Sequence, residues 1–126
     1  MQRYYDTIKA RDWDGFADLL SPDVVYEMPQ TRERISGRDP YVQFNREYPG
    51  EWQIDVTRLL VDGDKAAGTM NFIVDGETVL GIGFFELADG LIKRITDIWP
   101  EPYEPPPGRE HLAERRSDLS GFIDRL

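Results

Sequence analysis

The stretch TVLGIGFFELADGLIKRITDIW, residues 78–99, reads as two β-strands closed by Asp89-Gly90. Asp-Gly between β-rich runs is a strong local hairpin cue, because a type I′ turn needs positive φ at both central residues. The same dipeptide stands at 62–63 and 75–76, so from Trp52 onward the sequence predicts a meander of four antiparallel strands, at about 52–61, 65–74, 77–87 and 91–99. The turns are evenly spaced, but the runs between them share no further pattern and are not read as repeats.

Period two along the third of these strands puts Val79, Gly81, Gly83, Phe85 and Leu87 on one face and Leu80, Ile82, Phe84 and Glu86 on the other. Both faces are apolar, so both should be covered, one by helices and the other by a second copy of the sheet or by the C-terminal tail. Glycines inside a strand mark a bulge or a close approach to the backbone. In the last strand Leu91, Lys93, Ile95, Asp97 and Trp99 share a face, which would turn Asp97 into the room left by Gly81 and Gly83.

Upstream, Tyr4, Tyr5 and Ile8, then Trp13, Phe16, Leu19 and Leu20, form two short helical stripes, the second opening at Asp12 as N-cap and closing before Ser21-Pro22. VVYEMP (24–29) alternates as a strand, with Val24, Tyr26 and Met28 opposite Val25 and Glu27. QTRERISG (30–37) reads as a polar loop. A third helix begins at Asp39-Pro40, the aspartate as cap and the proline in the first turn, and carries Tyr41, Phe44, Asn45 and Tyr48 on one stripe up to Pro49-Gly50. Helices followed by strands make an α+β domain over residues 1–105. PEPYEPPPG (100–108) should run extended, and the tail over 106–126 should form a marginal helix.

A length of 126 residues suits one core, and the net charge of −9 repels nucleic acid and anionic membranes. There is no cysteine, so neither a disulfide nor a thiol nucleophile is available, and one histidine, His111, cannot build a histidine-rich metal site. With no secretory pattern at the start and no apolar run long enough to span a bilayer, the expectation is a cytoplasmic protein.

The order of elements, together with VVYEMP…ISGRDPYVQF and FFELADGLIKRITDIWPEPYEPP, resembles the SnoaL-like branch of the nuclear transport factor 2-like superfamily. The resemblance implies an α+β cone: a strongly bent antiparallel sheet wrapped around three helices of the N-terminal half, with an internal cavity, often paired through the sheet. The family includes polyketide cyclases, ketosteroid isomerases, limonene epoxide hydrolases and dehydratases. Asp97 falls where cyclases and epoxide hydrolases keep an acidic residue. Other positions depart from the family. Met28 stands before Pro29 where the isomerases place an aspartate, AAGTMNFIV offers no Arg-x-Asp, and the sole histidine lies in the tail rather than the cavity.

Asp97 is therefore the candidate catalytic residue, since burial in an apolar hollow raises a carboxyl pKa toward a range useful for proton transfer. The alternative is an aspartate satisfied by a neighbouring Tyr or Asn, tying strand to helix. Tyr26, Tyr41 and Asn71 are candidate hydrogen-bonding companions, while Met28, Phe44, Phe85, Trp99 and Trp13 are candidate walls for a small apolar molecule. Strand alternation turns Glu27 away from this group, and Arg32, Glu33, Arg34 and Arg38 read as a solvated loop cluster. The predicted chemistry is cofactor-free acid/base work such as cyclisation, dehydration or isomerisation. A non-catalytic dimeric module for a hydrophobic ligand is the competing reading.

Overall fold

The hairpin turns set the sheet. At Asp75-Gly76 and Asp89-Gly90 both residues have positive φ, 50° and 81°, then 53° and 79°, as a type I′ turn demands. The first turn is displaced by one residue: Asp62 stays in the ladder opposite Lys65, and the connection is Gly63-Asp64. The computed structural model describes residues 1–117, 119–123 and 126, with nothing said of the Ser120 side chain.

In chain order the elements are α1 (Gln2–Ala10), α2 (Trp13–Ala17), β1 (Leu20–Met28), β2 (Glu33–Ser36), α3 (Arg38–Arg46), β3 (Trp52–Asp62), β4 (Lys65–Val74), β5 (Glu77–Ala88), β6 (Leu91–Ile98) and α4 (Ser120–Ile123). The six strands form one sheet in the order β2-β1-β6-β5-β4-β3. All neighbours are antiparallel except β1 and β6, which run parallel, so the chain carries β1 across to pair with its own last strand. This is the α+β cone that the family resemblance implied.

Several local expectations need correction. Leu19 and Leu20 do not extend α2. That helix ends at Ala17, and β1 starts at Leu20, whose partner is Ile92. The polar run 30–37 is not all loop, because Glu33–Ser36 pairs with Val25–Met28 as an edge strand. The N-cap of α3 is Gly37 rather than Asp39, which sits in the first turn. A register shift between Glu86 and Leu87 interrupts the period-two face of β6, so the buried pair is Ile92 and Ile95 while Lys93 is exposed.

α1 and α3 turn Tyr4, Tyr5, Ile8, Tyr41 and Val42 onto the concave face, and α2 adds Phe16, which is fully buried. The Asp12 carboxylate accepts from the Gly15 N–H at 3.0 Å, capping α2 as its sequence predicts. On the convex face Glu27 is half-buried between Arg34, 3.0 Å away, and Arg94, which also reaches Glu86 at 3.6 Å, so an ionic ladder crosses four strands. Farther along that face Leu80 and Ile82 are half-buried and Phe84 is exposed. There the tail arrives: Ile123 is buried, and the Leu126 carbonyl accepts from Thr69 Oγ1 at 2.8 Å. Among the described residues no helix is long and apolar enough to cross a membrane.

Candidate functional site

Between the helices and the concave sheet lies a cavity of about 340 Å³. α1 contributes Tyr4, Tyr5 and Ile8; β1 and the turn after it contribute Tyr26, Met28, Gln30 and Thr31. α3 and the residues beyond it supply Tyr41, Phe44, Asn45 and Tyr48. The sheet adds Trp52 and Ile54, Met70, Phe72 and Val74, Val79 and Asp97, with Trp99 and Glu101 following β6. The wall is mainly apolar and carries nine aromatic rings, a composition suited to a small molecule.

Six of the residues singled out from sequence meet here: Asp97, Tyr26, Met28, Tyr41, Phe44 and Trp99. Three do not. Phe85 is buried behind the wall, edge-on to Tyr4 at 5.0 Å and to Tyr5 at 5.9 Å. Trp13 props Phe16, ring centroids 6.0 Å apart, and has no place at the cavity. Asn71 alternates outward between Met70 and Phe72, and among the described residues its buried Oδ1 has no hydrogen-bond partner.

Two glycines make the room. A Cβ at Gly81 would lie 2.8 Å from Trp99 Cζ3 and 3.1 Å from Met70 Cε. One at Gly83 would lie 3.1 Å from the Tyr5 hydroxyl and 3.2 Å from Asp97 Oδ1. Gly83 is paired across the ladder with Gly68, where a Cβ would again sit 3.1 Å from the Tyr5 hydroxyl. The Tyr5 oxygen is therefore seated over a cross-strand glycine pair, close to the Asp97 carboxylate.

Tyr26 donates to Asp97 Oδ2 at 2.9 Å. Desolvation pushes the Asp97 carboxyl up to about 6, against the opposing pull of that hydrogen bond. The tyrosines move the same way: burial first, then the Asp97 charge, raise Tyr5, Tyr26 and Tyr41 well above the ordinary phenol value, so all of them stay protonated donors. Tyr41 is stacked on Tyr26, centroids 4.6 Å apart, and its hydroxyl is engaged with that of Tyr4 at 2.5 Å. Among the described residues the Tyr5 hydroxyl makes no hydrogen bond and Asp97 Oδ1 accepts none, which leaves a donor and a proton acceptor close together at the inner end of the cavity.

Sequence reading passed over Tyr4 and Tyr5 as components of the site. Their cue was a Tyr-Tyr pair on the buried stripe of a helix that must cross a glycine-containing strand. At the rim, Gln30 closes a two-point clamp on the Trp99 backbone, its amide nitrogen donating to the carbonyl and its oxygen accepting from the N–H. Among the described residues no cluster of three or more His, Cys, Asp or Glu could hold a metal ion.

The SnoaL-like domain family matches residues 1–95. Among solved structures, a provisionally assigned ketosteroid isomerase from Kribbella flavida DSM 17836 is 56% identical, with 93% of this chain and 87% of that chain covered and a TM-score of 0.88. An M. tuberculosis LEH-like epoxide hydrolase (24% identity, 79% and 78% covered, TM-score 0.65) shares the fold. So does a provisionally assigned polyketide cyclase from Sinorhizobium meliloti (23% identity, 75% and 89% covered, TM-score 0.67). Among curated proteins none matches significantly.

Proposed function

This chain belongs to the SnoaL-like domain family, whose members include isomerases, cyclases and epoxide hydrolases, and from that premise we propose that its cavity performs cofactor-independent acid/base chemistry on a small apolar carbonyl or hydroxyl compound. The observation that carries this reading is the buried Asp97 carboxyl, raised to about 6, with a free donor, Tyr5, over the same glycine gap.

In the isomerisation form, ionised Asp97 removes a proton from the carbon beside a carbonyl. The C–H electron pair forms a carbon–carbon double bond to the carbonyl carbon as the C=O π pair moves onto oxygen, where the Tyr5 hydroxyl donates a hydrogen bond to the growing negative charge. The proton held on Asp97 then returns to a different carbon, so nothing is gained or lost overall. In a dehydration the same enolate expels hydroxide, which takes up the Asp97 proton and leaves as water. Tyr26 fixes the carboxylate through Oδ2 and leaves Oδ1 to move the proton.

Deuterium exchange at the α-carbon of small ketones such as cyclohexenone tests this without knowledge of the natural substrate. Wild type should exceed Asp97→Asn by on the order of a hundredfold, with a rate that rises with pH through about 6 and then levels, because the base is the ionised form. Equal rates in the two proteins would end the proposal.

The densely aromatic wall also supports a second reading, a binding module without turnover, and the same assay separates the two. On the convex face, exposed Phe84 beside Leu80 and Ile82 supports pairing of two copies there, which sedimentation at micromolar concentration tests.

A further inference from the structure

Every charged group on the cavity wall is acidic: Asp97 among the buried tyrosines and Glu101 toward solvent, with no Lys, Arg or His among the lining residues. The formal charge of −9 adds the same sign at longer range. The nine-residue helix α3 ends at Arg46, and Asn45 and Tyr48 on the wall bring the negative end of its dipole to the cavity. An anionic ligand is opposed by all three, whereas a cation is favoured by all three.

The outer half of the wall is built for a particular kind of cation. Tyr48, which is 42% exposed, meets Phe72 at 5.4 Å and 79°, and Phe72 meets Trp99 at 5.6 Å and 73°. Phe44 lies 6.2 Å from Tyr48 at 88°. Phe72 is backed by Trp52, stacked at 5.8 Å and 24°, while Tyr48 and Trp99 stand near-perpendicular to it, so rings on several sides wall this part of the cavity, and ring faces attract cations within about 6 Å of their centroids. Trp52 itself is taken, since Arg11 already lies over its ring, 3.7 Å from the centroid. A primary ammonium would need three acceptors, which a mainly apolar wall does not offer, but a methylated ammonium needs few or none.

We infer that this box holds a methylated ammonium group, so that the ligand of the cavity is a small apolar compound bearing a tertiary or quaternary amine. The inference rests on the reading of the cavity as a small-molecule site. It orients the ligand, with the cationic end in the aromatic box near Glu101 and any carbonyl or hydroxyl end reaching Tyr5 and Asp97.

The test compares choline with its neutral carbon isostere, 3,3-dimethylbutan-1-ol, by calorimetric titration of the full chain. Choline should bind about tenfold more tightly, the ratio that 1.4 kcal/mol of cation–π and charge attraction produces. Tyr48→Leu, at an exposed position whose replacement spares the core, should lower choline affinity at least threefold and leave the alcohol unchanged, and Glu101→Gln should flatten the dependence of choline binding on salt. Equal binding of the two compounds, tighter binding of the alcohol, or binding of neither overturns the inference. Wild type that exchanges ketone α-protons but shows no preference for choline keeps the acid/base reading and loses this one. A choline preference without α-exchange does the reverse.

Discussion

Asp97 combines a chemical gain with a thermodynamic cost. Its folded pKa is about 6, above the ordinary 3.8, so the native state binds the proton more tightly than the unfolded chain does. The contribution of Asp97 to stability is then fully present below about pH 4, is lost as pH rises from about 4 to about 6, and is flat above that window. Asp97→Asn removes the buried charge, and its amide oxygen still accepts from Tyr26. Denaturant titration at pH 8 should therefore show the variant more stable than wild type by about 1–3 kcal/mol, with the slope between pH 4 and 6 abolished. A variant less stable at pH 8 would mean that the carboxylate is well solvated. At Gly83 the opposite trade holds. An alanine methyl would press on the Tyr5 hydroxyl, Asp97 Oδ1 and Phe85, all within 3.2 Å, and Gly83→Ala should cost about 1–3 kcal/mol and displace the Asp97 titration seen by carbon-detected NMR.

Among the elements, the segment after β6 depends on one side chain. Gln30 stands in for a strand partner to Trp99, satisfying both backbone groups where the ladder has run out. Gln30→Ala should leave global stability within about 1 kcal/mol, since the amide is exposed. It should also speed amide exchange at Trp99 at least tenfold; unchanged exchange would show that the ring in the Gly81 recess holds the segment unaided. At this scale the sequence was uneven to read. The meander was plain because Asp-Gly turns and alternation agree, and the Asp12 cap marked α2. β2 was hidden: ERIS is short, charged and mostly exposed, so neither hydropathy nor a turn distinguishes it from loop. The inward lean of Tyr5 was equally hidden, because one helical stripe does not say which residue reaches across to which strand. Asn71 was a candidate on its chemistry alone, which does not say which face of β4 it takes, and it is absent from the cavity wall.

For the molecule as a whole, the α+β class was legible in the order of elements and the cone followed from the family resemblance, while the cover of the convex face was left open between the tail and a second copy. The tail reaches the convex side of β4 through the Thr69–Leu126 hydrogen bond, the side on which the pairing of two copies is proposed. Removing residues 119–126 deletes buried Ile123 and the Thr69–Leu126 contact; it should lower stability by roughly 1–2 kcal/mol for the lost burial and raise the weight-average mass in sedimentation at tens of micromolar. No change in mass would show that this side does not drive pairing. The glycines that hollow the concave side have a longer reach. Because the chamber takes its room from two absent methyl groups, a single-nucleotide change in codon 81 or 83 should narrow it, at the cost of displacing Trp99 or the Tyr5 and Asp97 pair. If the chamber holds a small molecule as proposed, saturation libraries at those two codons are the natural starting point for altering which ligands it admits.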